Sequence, residues 1–294
     1  MTDASQAQIL DFYRAPSALQ SAAAHEAAYR DLPDDIASLA RIVQGVLLHQ
    51  HIAPAYGETL TPERIAEAQI RPVSALLDRV LKGGRPLAQT RPPRERTIAV
   101  CRHFSLLLES ILRAKGIAAR ARCGFGAYFD KARFVDHWVT EYWHAGEARW
   151  IMVDAQLDDT QKTLFGIDFD TLDVPRDRFL VAGDAWRMCR DGKADPSAFG
   201  ILQMHGMWFI AGNIVRDVAA LNNVEMLPWD VWGAMLPPGQ APDDAALKRF
   251  DHLAMLTHDP DAHFGELRSL YTGDNGLAVP AIVFNAVLNR PEQV

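Results

Sequence analysis

A change of periodicity along the 294 residues predicts an α+β fold. Up to about residue 97 the apolar residues recur at helical spacing. Between 98 and 157 one helical pattern gives way to three runs that alternate in polarity and are rich in Trp, Tyr and Val. Helical patterns return after 158. A helix followed by paired strands, without regular β–α alternation, marks the α+β class. The expected organisation is a helical N-terminal region over 1–97 packed on a core at 98–157. An acidic loop and a helical C-terminal region follow over 158–294, all in one continuous domain.

The elements follow in order. DDIASLARIVQGVLLHQ has apolar residues at 36, 39, 43, 46 and 47 behind an Asp cap, which predicts a helix. TPERIAEAQI opens as a capped helix, with Thr61 before Pro62 at the first position. The pattern resumes through Val73, Leu76, Leu77, Val80 and Leu81 and stops at Gly83-Gly84. The basic stretch Lys82–Arg96 is rich in Pro and Gly and reads as a solvated loop. CRHFSLLLESILRAKG predicts a helix with apolar positions 104, 107, 108, 111 and 112, ended by Gly116 in the C′ place. AARARCGFGAYF, FVDHWVTEYW and ARWIMVD read as strands, the last two joined through HAGE. Further helical patterns lie near 208–221, 243–257 and 280–289.

Composition bounds the function. At 49% hydrophobic and 23% charged the chain is globular, not disordered. MTDASQAQIL has no basic start ahead of an apolar run, and no window reaches the roughly 18–20 apolar residues of a membrane span. The net charge of −7 combines +3 over 1–150 with −10 over 151–294, which argues against nucleic-acid binding. Three cysteines (101, 123 and 189), none in CxxC spacing, predict neither a disulfide framework nor a zinc site. The expectation is a soluble cytoplasmic protein with reduced thiols, acting without cofactor, metal, nucleic acid or membrane.

Cys101 falls in the first turn of its helix, where the helix end favours thiolate over thiol. Position alone leaves a nucleophile and a buried core cysteine equally open. The following hairpin adds a partner. If Trp143 pairs with Ala148, paired residues sum to 291 and His137 stands opposite Asp154. A register moved by two keeps them diagonal neighbours on one face. Asp154 can then orient the imidazole and leave its other nitrogen for the thiol.

CRHFSLLLESILRAKGIAARARCGFGAYF, DHWVTEYW and RWIMVDAQLD together resemble the core of the transglutaminase-like superfamily, in the manner of bacterial transglutaminase-domain proteins of unassigned activity. The resemblance implies a papain-like fold, with the cysteine helix packed on an antiparallel sheet. It carries the nucleophile to Cys101, the imidazole to His137 and the orienting acid to Asp154. Animal members place a tryptophan upstream of the nucleophile to support the oxyanion, whereas the first Trp here is Trp138. The Cys101 N–H supplies one oxyanion donor, and Gln44 on the upstream helix is the candidate for the second.

The expected activity is cysteine-dependent acyl transfer from an amide or ester through a thioester, ending in hydrolysis or transfer to an amine. Two alternatives stand beside it. An arylamine N-acetyltransferase-like enzyme shares the triad, but no RGGxCxE-type phrase surrounds Cys101. A non-catalytic binding module would have no chemical need for all three residues. His49 and His51 are read as helix-end histidines rather than metal ligands, and the Asp residues between 154 and 177 as a solvated loop. Trp186, Trp208, Trp229 and Trp232 are expected to close the C-terminal core, with Cys123 and Cys189 structural.

Overall fold

A computed structural model describes residues 4–273 and 276–294. In chain order its elements begin with α1 (Gln6–Arg14), α2 (Ile36–Val46), β1 (Leu47–His49), α3 (Pro62–Ile65), α4 (Val73–Val80) and β2 (Thr97–Ala99). The central run is α5 (Cys101–Ala114), β3 (Ala119–Gly126), β4 (Phe134–His144), β5 (Arg149–Val153) and α6 (Asp159–Phe165). Then come β6 (Phe179–Val181), α7 (Ala182–Arg190), β7 (Phe199–Ile201), β8 (Met204–His205) and α8 (Met207–Ala220). The chain closes with β9 (Asp230–Val231), α9 (Asp244–His258), α10 (Phe264–Gly273), β10 (Ile282–Asn285) and β11 (Arg290–Gln293). The fold is α+β. Among the described residues no helix is long and apolar enough to cross a membrane.

The chain forms two interleaved compact units. One holds 10–121 and 139–174; the other holds the described part of 1–9 with 122–138 and 175–294.

In the first of these, α2, α4 and α5 share an apolar core with the β4–β5 hairpin, through residues such as Leu39, Val43, Leu76, Leu108, Tyr142 and Val153. The expected helix signals hold. The Asp35 side chain caps α2 on the Ser38 N–H, and Thr61 caps α3 on the Arg64 N–H. At the end of α5, Gly116 (φ +77°) and Ile117 donate their N–H groups to Arg113 and Leu112 carbonyls, closing a Schellman turn.

Three expectations need correction here. The N-terminal region is not purely helical: α2 stops at Val46, and β1 pairs in parallel with β2, Leu47 against Thr97. The loop Lys82–Arg96 is not merely solvated. Arg91 is buried, and its guanidinium holds the carbonyls of Val80, Arg85, Pro86, Leu87 and Gln89, so one cation gathers backbone groups that would otherwise need water. The acidic stretch contains α6, capped by Asp158, and its Asp173 pairs with Arg149.

In the other unit, β6 pairs antiparallel with β3, β7 pairs in parallel with β4, and β8 returns on β7. The parallel pair makes the sheet mixed, where a wholly antiparallel meander was expected. Helix α8 is tied to the strands by buried polar groups: Asp217 accepts from Arg122 (2.9 and 3.0 Å) and from the Cys123 N–H. The helical pattern near 280–289 is in fact the β10–β11 hairpin. Val283 and Asn285 are buried, while Ile282 and Phe284 are exposed, which is a period of two.

Candidate active site

Strand β2 delivers the chain directly into α5, whose first residue is Cys101. The residues around it are fixed by polar groups that have nowhere else to go. His103 is fully buried; its Nδ1 accepts the Val100 N–H (3.2 Å) and its Nε2–H donates to the Ile70 carbonyl (2.8 Å). Those two bonds define one neutral tautomer, and burial, with Arg102 nearby, pulls the His103 pKa down to about 3. Arg102, also buried, donates to the Arg71 carbonyl at 2.7 Å. One turn on from the cysteine, Ser105 Oγ donates to the Val139 carbonyl (2.8 Å) and meets Thr140 Oγ1 (3.0 Å). Cys101 itself is 5% exposed. The arrangement presents a thiol where α5 concentrates the partial positive charge of its free N–H groups.

Asp154 follows immediately on β5 and is 1% exposed. Its N–H donates to the Thr171 carbonyl (2.9 Å), and its Oδ1 accepts the Gln156 N–H (3.0 Å). A polar relay supports that loop. Gln156 Nε2 donates to Gln161 Oε1, Gln161 Nε2 donates to the Tyr56 hydroxyl, and Tyr56 donates to Asp158 Oδ1 at 2.6 Å. Sequence reasoning missed Tyr56 and Gln161: their partners are about a hundred positions apart, and no local pattern encodes that.

The β4–β5 register differs from the expected one. Thr140 pairs with Val153, Glu141 with Met152, Trp143 with Trp150 and His144 with Arg149. Paired numbers therefore sum to 293, and the four-residue loop is 145–148 rather than 144–147. His144 continues the ladder instead of opening the turn, and Ala148 takes the left-handed conformation (φ +51°) that closes it. His137 is thus not directly opposite Asp154. The ladder ends at Thr140 against Val153, and Asp154 lies just beyond it, with its N–H turned to Thr171.

In the other unit His137 is 2% exposed and lies among aromatic rings. The Phe129, Tyr128 and Phe179 centroids stand 4.7, 5.9 and 6.1 Å from the imidazole, all in edge-on arrangements. A Cβ on Gly126 would come within 2.7 Å of Phe129, so only glycine lets that ring sit there. The neighbouring Asp136 accepts from Asn213 Nδ2 (2.7 Å), and burial raises its carboxyl pKa despite Arg216, Asn213 and His137.

The remaining candidates are placed as follows. Gln44, near the end of α2, donates its side-chain amide to the Leu157 carbonyl (3.3 Å). His49 and His51 have ring centroids 5.7 Å apart, and the His51 N–H donates to His49 Nδ1. Among the described residues no group of three or more His, Cys, Asp or Glu is arranged to hold a metal. Trp186 and Trp232 are buried and donate to Asp251 and to the Leu277 carbonyl. Trp208 and Trp229 are only half-buried. Cys123 is buried in β3, and Cys189 lies at the end of α7.

Residues 72–155 match the transglutaminase-like superfamily. No curated protein matches the chain. The solved "Putative Cysteine Protease from Cytophaga hutchinsonii" is similar over 61% of this chain and 47% of its own, with 18% identity and a TM-score of 0.34. The chain therefore spans about half the length of that structure, and the likeness is too slight to bear on activity. The segment that is similar to the transglutaminase-like superfamily contains Cys101, His137 and Asp154 together.

Proposed function

We propose that the protein is a cysteine enzyme that moves an acyl group from an amide or ester, with Cys101 as nucleophile, His137 as general base and acid, and Asp154 as the orienting acid. The observation that carries the proposal is Cys101 at the first residue of α5, inside a segment that matches the superfamily. The helix end lowers the cost of a thiolate, and the proposed role of His137 is to take its proton.

The thiolate attacks the carbonyl carbon, and the carbonyl electron pair moves to oxygen. The Cys101 N–H donates to that oxyanion; Gln44 is proposed as the second donor, since its amide keeps one N–H beyond the bond to Leu157. As the intermediate collapses to a thioester, His137 gives its proton to the leaving nitrogen or oxygen. Water or an amine then attacks the thioester, His137 takes the proton, and the thiolate departs. Hydrolysis and transfer to an amine share every residue named.

Trapping tests the proposal. Brief incubation with an activated p-nitrophenyl ester, followed by acid quench and peptide mapping, should place the acyl mass on Cys101. Acylation of Cys123 or Cys189 instead, or of no cysteine, overturns it.

A further inference from the structure

The segment between β1 and α3 bounds a cavity of about 500 Å³, lined by Gln50, His51, Pro54, Glu58, Leu60 and Ile65 among others. That volume suits a small ligand or one long side chain. The segment is fastened at both ends to residues beside the proposed chemistry. At one end β1 runs parallel to β2, His49 against Ala99, and the Gln50 N–H donates to the Ala99 carbonyl at 2.9 Å. Ala99 is two residues before Cys101, and two residues of chain span at most about 7 Å. At the other end the Tyr56 hydroxyl donates to Asp158, four residues past Asp154, and accepts from Gln161.

The lining has a definite chemistry. Pro54, Leu60 and Ile65 offer an apolar wall. Glu58 carries the only full charge among the lining residues when His51 is neutral, as an ordinary imidazole is above about pH 6.5. Glu58 is half-buried and, among the described residues, takes part in no ion pair or side-chain hydrogen bond, whereas Arg64 and Arg96 of the same unit are paired with Glu67 and Asp158. A half-buried carboxylate beside an apolar wall is complementary to an aliphatic stem that ends in a cation.

We infer that this cavity is a substrate subsite for a cationic side chain, an ammonium or guanidinium on an aliphatic stem, carried by the amide or ester that Cys101 attacks. The stem lies along Pro54, Leu60 and Ile65, and the cation meets Glu58. As a site of the enzyme the inference rests on the acyl-transfer proposal, so its test separates binding from turnover.

N-acetyl-lysine amide and N-acetyl-norleucine amide are titrated into the wild-type chain and into Glu58→Gln, followed by NMR. The p-nitrophenyl esters of the same two acyl groups are then compared by kcat/KM. The expected result is a lysine preference of about tenfold in both measurements, falling below about threefold in Glu58→Gln, as removal of one charged partner requires. Equal binding of the two amides, or a preference that survives Glu58→Gln, overturns the subsite. A Glu58-dependent preference in binding, with turnover absent or unaffected by Cys101→Ala, upholds the subsite and overturns the nucleophile. Cys101-dependent turnover without lysine preference does the reverse.

Discussion

Cys101 and Cys189 occupy opposite poles of two helices. Cys101 is the first residue of α5, and Cys189 is the last but one of α7. The first turn of a helix carries unsatisfied N–H groups, and the last carries unsatisfied carbonyls. Negative charge is favoured at the first and opposed at the second. Separately from the helix end, burial, with Asp195 nearby, pushes the Cys189 thiol up to about 12.

The largest expected effect is on turnover. Cys101→Ala should remove it, whereas Cys189→Ala should leave kcat within twofold; loss of the nucleophile in a serine triad costs roughly 10⁶ in kcat. Retained turnover in Cys101→Ala breaks the contrast at once. Next, Asp154→Asn should keep the fold and cut kcat steeply, because an amide can present its NH₂ to the imidazole and select the wrong tautomer. The same change in a serine triad costs on the order of 10⁴, and a cysteine ionised in advance needs less help from its base. Full activity in Asp154→Asn would remove the acid from the mechanism.

Alkylation compares the two thiols directly. At pH 6 iodoacetamide should modify Cys101 at least about 100-fold faster than Cys189, since only a thiolate reacts and an ordinary thiol ionises near 8.5. Mass-spectrometric mapping decides, and labelling dominated by Cys189 would invert the comparison.

The smallest effect concerns the brace beneath Cys101. His103 is neutral in the folded state with its pKa pulled down to about 3, while the unfolded chain titrates near the ordinary histidine value. The unfolded state therefore takes up a proton first as pH falls. Stability contributed by neutral His103 is complete above about pH 6.5 and is lost progressively below it, at up to about 1.4 kcal/mol per pH unit. Urea unfolding at pH 7.5, 5.5 and 4.5 should show a shallower acid loss in His103→Gln than in the wild type. Parallel curves would show that His103 is not the titrating brace.

Local signals in the sequence were sufficient for α5. The helical apolar spacing and Gly116 after it belong to neighbouring residues, so its bounds and the place of Cys101 in its first turn were legible. The hairpin was legible as two strands but not in register. Loops 144–147 and 145–148 have equal length, and the choice depended on His144 joining the ladder and Ala148 accepting a positive φ. The segment 280–289 was misread because a four-residue strand inside an apolar stretch offers too few positions to separate a period of two from one of 3.6.

By itself the sequence determined the class of the fold, the helix that opens on Cys101 and the identity of the three residues proposed for catalysis, because each depends on neighbours along the chain or on a motif. Only the tertiary structure decided the parallel pairing of β1 with β2, the tautomer of His103 and the relay from Gln156 through Gln161 to Tyr56. It alone also joined the segment after β1 to the residue before Val100, where Glu58 and the apolar wall face one cavity. These features depend on hydrogen bonds between groups tens of residues apart. Their partners are chosen by which buried donors and acceptors the packed chain leaves within reach, and no periodicity records that choice.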